Sequence, residues 1–435
     1  MTEVHMKSYD AYVRLIEDTV REILLNPLDL LETGCLESIL DGQPGIQLRR
    51  LVDLKTRKSA GSFFTSSALR ERALPAAELG NNEAVYFDSS IGGGDLLVEV
   101  AKRLPLAENL VTTLQNWGHQ LRGVDIHPEF VRLAKARLVL VAVTRGVLIT
   151  DDYLPPLEEL FPHIRVGDGL CEDDYYSETT HVVINPSFAL MPTPENCDWT
   201  SGKVSAAAVF VEHVLTQARA GTHLTAILPD VLRAGSRYEK WRHLVQAFTV
   251  GAAIESVGQF DPWTDVDVFI LRAIVQQGNQ QALRWWHAED LPTTQSVGQY
   301  FKVSVGPVVP HRDPKVGEEY AYLTARQLSG SDTYNANEGP TIRYAGTTFQ
   351  PPFVVVRRTS RPGNGRVITT LVTGQRNVAL ENHLIVMKPI SNSMKLCREL
   401  VDVLSNVRTT QWLDERIRCR HLTVSIMREL PWWRD

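Results

Sequence analysis

Between Ala84 and about Gln276 the chain alternates short β-branched or apolar runs with longer stretches whose apolar positions recur at helical spacing. AVYF (84–87), LRGVDI (121–126), HVVIN (181–185), HLTAIL (223–228) and DVFILRAIV (267–275) predict strands. LLVEVAKRL (96–104), PEFVRLAKARLVL (128–140) and SAAAVFVEHVLTQARA (205–220) predict helices between them. This alternation implies an α/β fold with a mostly parallel, doubly wound sheet covered on both faces. Upstream, Tyr12, Leu15, Ile16, Val20, Ile23 and Leu24 predict a helix closed by Asn26-Pro27, and a basic Ser/Thr-rich stretch from Lys55 to Ser67 leads toward the first strand. After Gln276 helical periodicity fades until Asn392 to Asn406, and short β-type runs dominate. The expected organisation is a helical segment at 1–60, an α/β domain at 61–280 and a mixed α+β domain at 290–435.

Composition narrows the class. A hydrophobic fraction of 43% and a charged fraction of 22% suit a soluble protein. The net charge of -6 excludes a uniformly basic chain but leaves a local basic surface open. Cys35, Cys171, Cys197, Cys397 and Cys419 are scattered without a C-x-x-C pair, so no metal centre or disulfide framework is expected, and a reducing cytoplasm fits. Polar residues stand where a signal peptide would be apolar, and no apolar run nears the ~20 residues that span a bilayer. The expectation is a soluble, cytoplasmic protein with no membrane partner.

Chemistry enters at three strand ends. In YFDSSIGGGDLLVEVAKRL (86–104) a strand ends at Asp88, glycines 92 to 94 follow, and a helix starts near Asp95. Glycine lets backbone approach a ligand closely, and the helix start adds aligned N–H groups. Alone, the segment reads equally as any tight strand-to-helix turn. A dinucleotide fingerprint starting at Gly92 would need glycine where Leu97 stands. An acid ending the second strand, Asp125, is placed either to hold ribose hydroxyls or to cap the helix that starts at Pro128. IRVGDGL (164–170) puts Asp168 at another strand end, where a turn aspartate is the plain alternative.

HVVINPSFALM (181–191) is a buried strand that delivers Asn185, Pro186, Ser187 and Phe188 to the carboxyl edge of the sheet. The exocyclic amine of adenine is a poor nucleophile because its lone pair is delocalised into the ring. A carboxamide oxygen (Asn185) and a backbone carbonyl (Pro186) that accept both amine hydrogens would localise that lone pair. Phe188 could stack on a base extruded from the duplex.

With these elements in this order, the chain resembles the DNA adenine-N6 methyltransferases of the gamma arrangement, in which cofactor motifs precede the catalytic motif and a target recognition domain follows. GSFFTSS (61–67) matches the family's opening motif through Phe64 and Thr65, with Ser66 in place of proline. DSSIGGG (88–94) falls on its Asp-Pro-Ala-Cys-Gly-Ser-Gly. The segments 220–245 and 263–275 resemble its sixth strand and its closing strand pair. The resemblance implies a Rossmann-like methyltransferase sheet and S-adenosyl-L-methionine as cofactor, held by Thr65, Asp88, Gly92, Gly94, Asp125 and Asp168. Thr65 would face the methionine carboxylate, Asp125 the ribose and Asp168 the adenine. Asn185, Pro186 and Phe188 would be catalytic. The family's usual signature is Asn-Pro-Pro-Phe or Asn-Pro-Pro-Tyr; here Ser187 replaces the second proline, which implies a looser loop with an added donor.

In the second domain, residues 349–389 carry Arg357, Arg358, Arg361, Arg366 and Arg376 with no acid before Glu381. Such a block reads as a solvated basic face or as phosphate and base-edge contacts. FKVSVGPVVPHRD (301–313), YAYLTARQL (320–328), FVVVRRTSRPG (353–363) and ENHLIVMKPI (381–390) resemble target recognition domains like those of type I specificity subunits, which implies DNA contact. The expected activity is sequence-specific adenine-N6 methylation of double-stranded DNA in a restriction-modification or phage-defence system, with any restriction endonuclease or defence subunit on a separate chain. The alternative is a catalytically weak or inactive DNA-binding subunit of a defence complex. Methylation of release-factor glutamines or structured RNA shares the chemistry, but those enzymes lack such a C-terminal domain.

Overall fold

Each apolar run that alternates with a helical stretch becomes one strand of a shared sheet. The computed structural model describes residues 3–25, 35–60, 64–75, 83–150, 153–278, 283–285, 295–328, 333–360, 363, 366–417 and 420–433. The chain divides into two units, Met1–Trp285 and Trp286–Asp435.

In the first unit the strands are β1 (Tyr86–Asp88), β2 (Leu121–Asp125), β3 (Ile164–Val166), β4 (His181–Ile184), β5 (Leu190–Pro192), β6 (Lys203–Ser205), β7 (His223–Pro229), β8 (Thr249–Asp261) and β9 (Thr264–Val275). Seven form one sheet in the order β3-β2-β1-β4-β7-β9-β8. The first five are parallel, and β9 runs antiparallel to both β7 and β8. The fold is the expected Rossmann-like, doubly wound α/β sheet. Strand order reverses between β1 and β4, and ligands of such sheets bind outside the carboxyl ends at that point.

Two expectations change. The stretch 263–275 is one long strand rather than a pair; its partner is β8, which was not among the expected strands. Gly, Ala and Glu interrupt the β pattern of TVGAAIESVGQFD, and register shifts at Val250/Ala253, Ser256/Gly258 and Gln259/Asp261 break its alternation. In the N-terminal helix (Glu3–Leu25), Tyr9, Val13, Ile16, Val20 and Ile23 are buried, whereas Leu15 is 61% exposed.

The helix Pro128–Thr144 is buried around nearly its whole circumference from Phe130 to Val143, as expected for a helix held between two layers. The sheet lies on one side and the helix Glu3–Leu25 on the other. Arg132 forks onto Glu17 and also binds Asp10. One hydrophobic core runs from Tyr9 through Val52 and Leu97 to Ile270, so the helices before the first strand share the sheet's interior.

The second unit has β10 (Phe301–Val305), β11 (Glu318–Leu323), β12 (Thr333–Asn335), β13 (Thr341–Tyr344), β14 (Phe353–Arg357), β15 (Thr369–Thr373), β16 (Val378–Leu380) and β17 (Leu384–Pro389). They form a five-stranded sheet, β10-β17-β14-β15-β12, and a three-stranded sheet, β13-β11-β16. The helices Met394–Ser405, Val407–Arg416 and Val424–Glu429 complete a mixed α+β domain. Its core centres on Phe353, Val355, Val372, Leu384 and Val386.

Candidate active site

Four neighbouring strands deliver their carboxyl ends to one place. After β1, Gly92 (φ 51) and Gly94 (φ 83) take left-handed conformations that turn the chain into the helix Asp95–Ala101. A Cβ on Gly94 would lie 2.9 Å from the Cβ of Ala134, so the glycine lets the helix Pro128–Thr144 close on the turn. After β2, Asp125 Oδ2 accepts the Gly92 N–H at 3.0 Å and Oδ1 accepts the His127 N–H at 2.9 Å. One carboxylate thus fixes both the glycine turn and the entry to the next helix. After β3, Asp168 is exposed and its Oδ1 accepts the Leu170 N–H at 3.0 Å. After β4 comes Asn185.

Between them lies a cavity of about 260 Å³. Gly92, Asp125, Asp168, Asn185 and Ser187 line it, with Phe64, Phe130, Met191 and Phe210 as apolar walls. The four aromatic or thioether walls were missed in the sequence; only Phe64, inside the opening motif, had a signal that could have found it. Gly94, Asp88 and Thr65 lie behind the wall rather than in it. Asp88 is 2% exposed and accepts the Ser90 N–H at 2.9 Å and the Ser90 hydroxyl at 3.3 Å. Burial pushes its carboxyl up to about 8. Burial also raises Asp125, against the opposing hydrogen bonds from His127 and Gly92.

Thr65 is 4% exposed, and its hydroxyl faces the Asn185 loop instead of the cavity. Asn185 Nδ2 donates to Thr65 Oγ1 at 2.8 Å, which orients the amide and leaves Asn185 Oδ1 buried without a hydrogen-bond partner. The Thr65 backbone is held at both ends: its N–H donates to Asp95 Oδ2 at 2.7 Å and its carbonyl accepts from Arg70 at 3.0 Å. Asp95 also receives Arg70 and Arg137, both fully buried. Arg137 reaches the carbonyls of Gly93, Ile39 and Leu40, and Arg70 reaches Leu40. A buried arginine pair therefore joins the N-terminal helices, the glycine turn and the amide of Asn185.

The serine of the loop behaves differently from expectation. Ser187 Oγ accepts the Ala189 N–H at 3.1 Å, so the hydroxyl ties the loop where a proline would have stiffened it. Pro186 is buried and Phe188 half-buried. The Phe188 ring meets Phe260 edge to face, 5.6 Å between centroids at 82°. Phe260, near the tip of the β8–β9 hairpin, is a further neighbour that the sequence pattern did not bring out.

In the second unit the arginines part ways. Arg366 is fully buried and binds the carbonyls of Ser360 and Ile417 and the Asp414 carboxylate. Arg357 donates to the carbonyls of Ala325 and Leu328. Both hold the framework together, which removes them from a DNA-facing set; charge alone could not separate them from surface residues. Arg358 is half-buried and Arg376 exposed. Arg361 lies outside the described residues. Among the described residues no helix is long and apolar enough to cross a membrane, and no group of three or more His, Cys, Asp or Glu could hold a metal ion.

No protein-family model matches the sequence, and no curated protein matches it. The Type IIL restriction-modification enzyme MmeI in complex with DNA aligns over 89% of this chain and 70% of its own, at 14% identity and a TM-score of 0.59. The chain shares that enzyme's fold. A DrdV–DNA complex aligns over 92% of this chain and 58% of its own, at 10% identity and a TM-score of 0.48. The type IIG restriction endonuclease BpuSI aligns over 83% and 57%, at 12% identity and 0.41. The chain thus spans less than two thirds of these last two proteins. At such identities the likeness concerns fold and leaves chemistry to the residues.

Proposed function

We propose that the chain is an S-adenosyl-L-methionine-dependent methyltransferase that acts on the N6 amine of adenine in DNA, with the second unit as its DNA-recognition domain. One observation carries the proposal: the buried, unpartnered Oδ1 of Asn185 at the cavity, held in orientation by the bond from Nδ2 to Thr65. A buried acceptor without a partner costs about 1–3 kcal/mol. A donor that arrives with the substrate offsets that cost.

The cavity suits the cofactor by the chemistry of its donors. Carboxylates at two adjacent strand ends, Asp125 and Asp168, offer acceptors to ribose hydroxyls and to an adenine amine, and Gly92 exposes backbone beside Asp125. Asp88 places a titratable acid under the same floor. When bound, the cofactor supplies an activated methyl on a sulfonium. The protein's part is to bring an amine to it: Asn185 Oδ1 and the Pro186 carbonyl each accept one N–H, which turns the nitrogen lone pair toward the methyl. Phe188 can stack on the base once its edge contact with Phe260 opens. Ser187 ties the loop without touching these acceptors, which favours an active enzyme over an inactive subunit. The DNA-bound enzyme that shares the fold supports DNA as the substrate class. A restriction-modification or defence setting fits this reading.

The test is methyl transfer from labelled cofactor to mixed-sequence DNA by the purified protein, followed by nucleoside analysis. N6-methyladenine is expected. Asn185→Ala should abolish transfer and keep cofactor binding; an active Asn185→Ala protein would sink the assignment.

A further inference from the structure

The tip of the β8–β9 hairpin carries a feature that methyl transfer does not use. Trp263 is 75% exposed, yet its position is fixed. The Asp261 carboxylate accepts the N–H groups of Trp263 and Thr264 and the Thr264 hydroxyl, which locks the turn. The Arg49 guanidinium lies over the indole, 5.9 Å from its centroid. A second cation is close: the Arg49 charge helps to lower the Arg57 guanidinium, after burial, while Asp261 acts in the opposite sense. Ile46, on the helix Gln43–Leu51 with Arg49, and Leu54, at the start of the helix Leu54–Ala60 with Arg57, are each about half exposed.

Two routes tie this tip to the cavity mouth. Along the hairpin, Phe260 precedes Trp263 by three residues and meets Phe188 of the Asn185 loop. Through the helix Gln43–Leu51, Arg49 lies one turn on from buried Gly45, which Phe64, a wall of the cavity, also adjoins. Asp261 pairs with Thr264, so Trp263 stands in the two-residue turn at the hairpin tip, just beyond the end of the strand that carries Phe260. A rigid, wet indole flanked by guanidinium groups has the composition of a single-strand stacking platform: an aromatic face for a base and cations for the phosphates.

We propose that Trp263 stacks on an unpaired nucleobase within a few nucleotides of the target adenine, with Arg49 and Arg57 on the adjoining phosphates, so that the hairpin holds open the strand from which the target is drawn. This rests on the DNA-methyltransferase reading above. The intact protein, without cofactor, is titrated into a short mixed-sequence single-stranded oligodeoxynucleotide and into its duplex at fixed salt. Trp263→Ala should weaken single-strand binding by about tenfold or more. Trp263→Phe should keep most of the affinity while removing a quench of tryptophan emission that the wild type shows on binding. Arg49→Gln should lower the salt dependence by about one phosphate's worth of slope. Equal single-strand affinity for wild type and Trp263→Ala, or an unchanged quench in Trp263→Phe, would overturn the proposal. Cofactor binding is measured separately on the same samples. Its absence in the wild type would strike the methyltransferase reading, whereas the oligonucleotide results decide the role of Trp263.

Discussion

Replacing Thr65 with valine tests how the Asn185 amide is oriented. Valine keeps the β-branched shape and removes only the hydroxyl, which lies 2.8 Å from Asn185 Nδ2 at a residue that is 4% exposed. The amide then either leaves a buried N–H unpaired or turns end for end and presents Nδ2 where Oδ1 stood. Leaving a buried donor unpaired costs about 1–3 kcal/mol. If the oriented acceptor is needed only as the amine becomes nucleophilic, that energy falls on the transition state, a loss of roughly 5- to 150-fold in kcat. Thr65 lies behind the cavity wall, so cofactor affinity should hold, and Thr65→Ser should restore the rate. Titration calorimetry with S-adenosyl-L-methionine and single-turnover transfer to DNA separate the two quantities. Weakened cofactor binding with an unaltered transfer rate would refute the reasoning and return the Thr65 hydroxyl to the methionine carboxylate, where the family resemblance put it.

Gly94→Ala should lower stability by about 2–4 kcal/mol, because left-handed strain adds to a 2.9 Å approach to Ala134. Gly146→Ala, equally left-handed but with nothing within 4 Å, should lose only about 1–2 kcal/mol; equal melting shifts would discount the packing term. Arg366→Ala should unfold the second unit in thermal melts at a cost of about 3–5 kcal/mol, since Asp414 and two carbonyls lose their cation. Arg376→Ala should melt like the wild type and bind DNA with a shallower salt dependence. Asp88, raised to about 8 by burial, keeps in the folded state a proton that the unfolded chain releases near pH 4. Its contribution is therefore present at low pH and is lost as pH climbs from about 4 to 8, by up to ~1.4 kcal/mol per unit. Asp88→Asn should flatten that slope in melting curves, with its gain over the wild type largest near pH 8.

The sheet was legible because its strands are buried on both faces and carry continuous Val/Ile/Leu runs, as HVVI and HLTAIL do. The half-exposed β8 has no such run and escaped. At the site, Gly92, Asp125, Asp168 and Asn185 could be found from their place at strand ends, a property of chain order. Phe130, Met191, Phe210 and Phe260 come from distant helices, ribbons and hairpins, and nothing local in the sequence marks an apolar side chain as a cavity wall. The same limit explains Arg357 and Arg366: an arginine's neighbours in sequence do not reveal whether carbonyls or water await its guanidinium. Thr65 was recognised by motif, but the partner of its hydroxyl lies 120 residues away.

The arginine pair beneath the glycine turn ties the helix Cys35–Leu40 to the floor of the cavity. Arg70 and Arg137 sit in a dry interior and draw on main-chain oxygens of Ile39 and Leu40. A polypeptide begun just ahead of the opening motif would leave two cations stranded with too few acceptors and is expected to collapse into aggregate. In the intact chain the same clasp gives the outer helices leverage. A ligand or partner that shifts the helix Cys35–Leu40 would tug Asp95, then Thr65, and so turn the amide of Asn185.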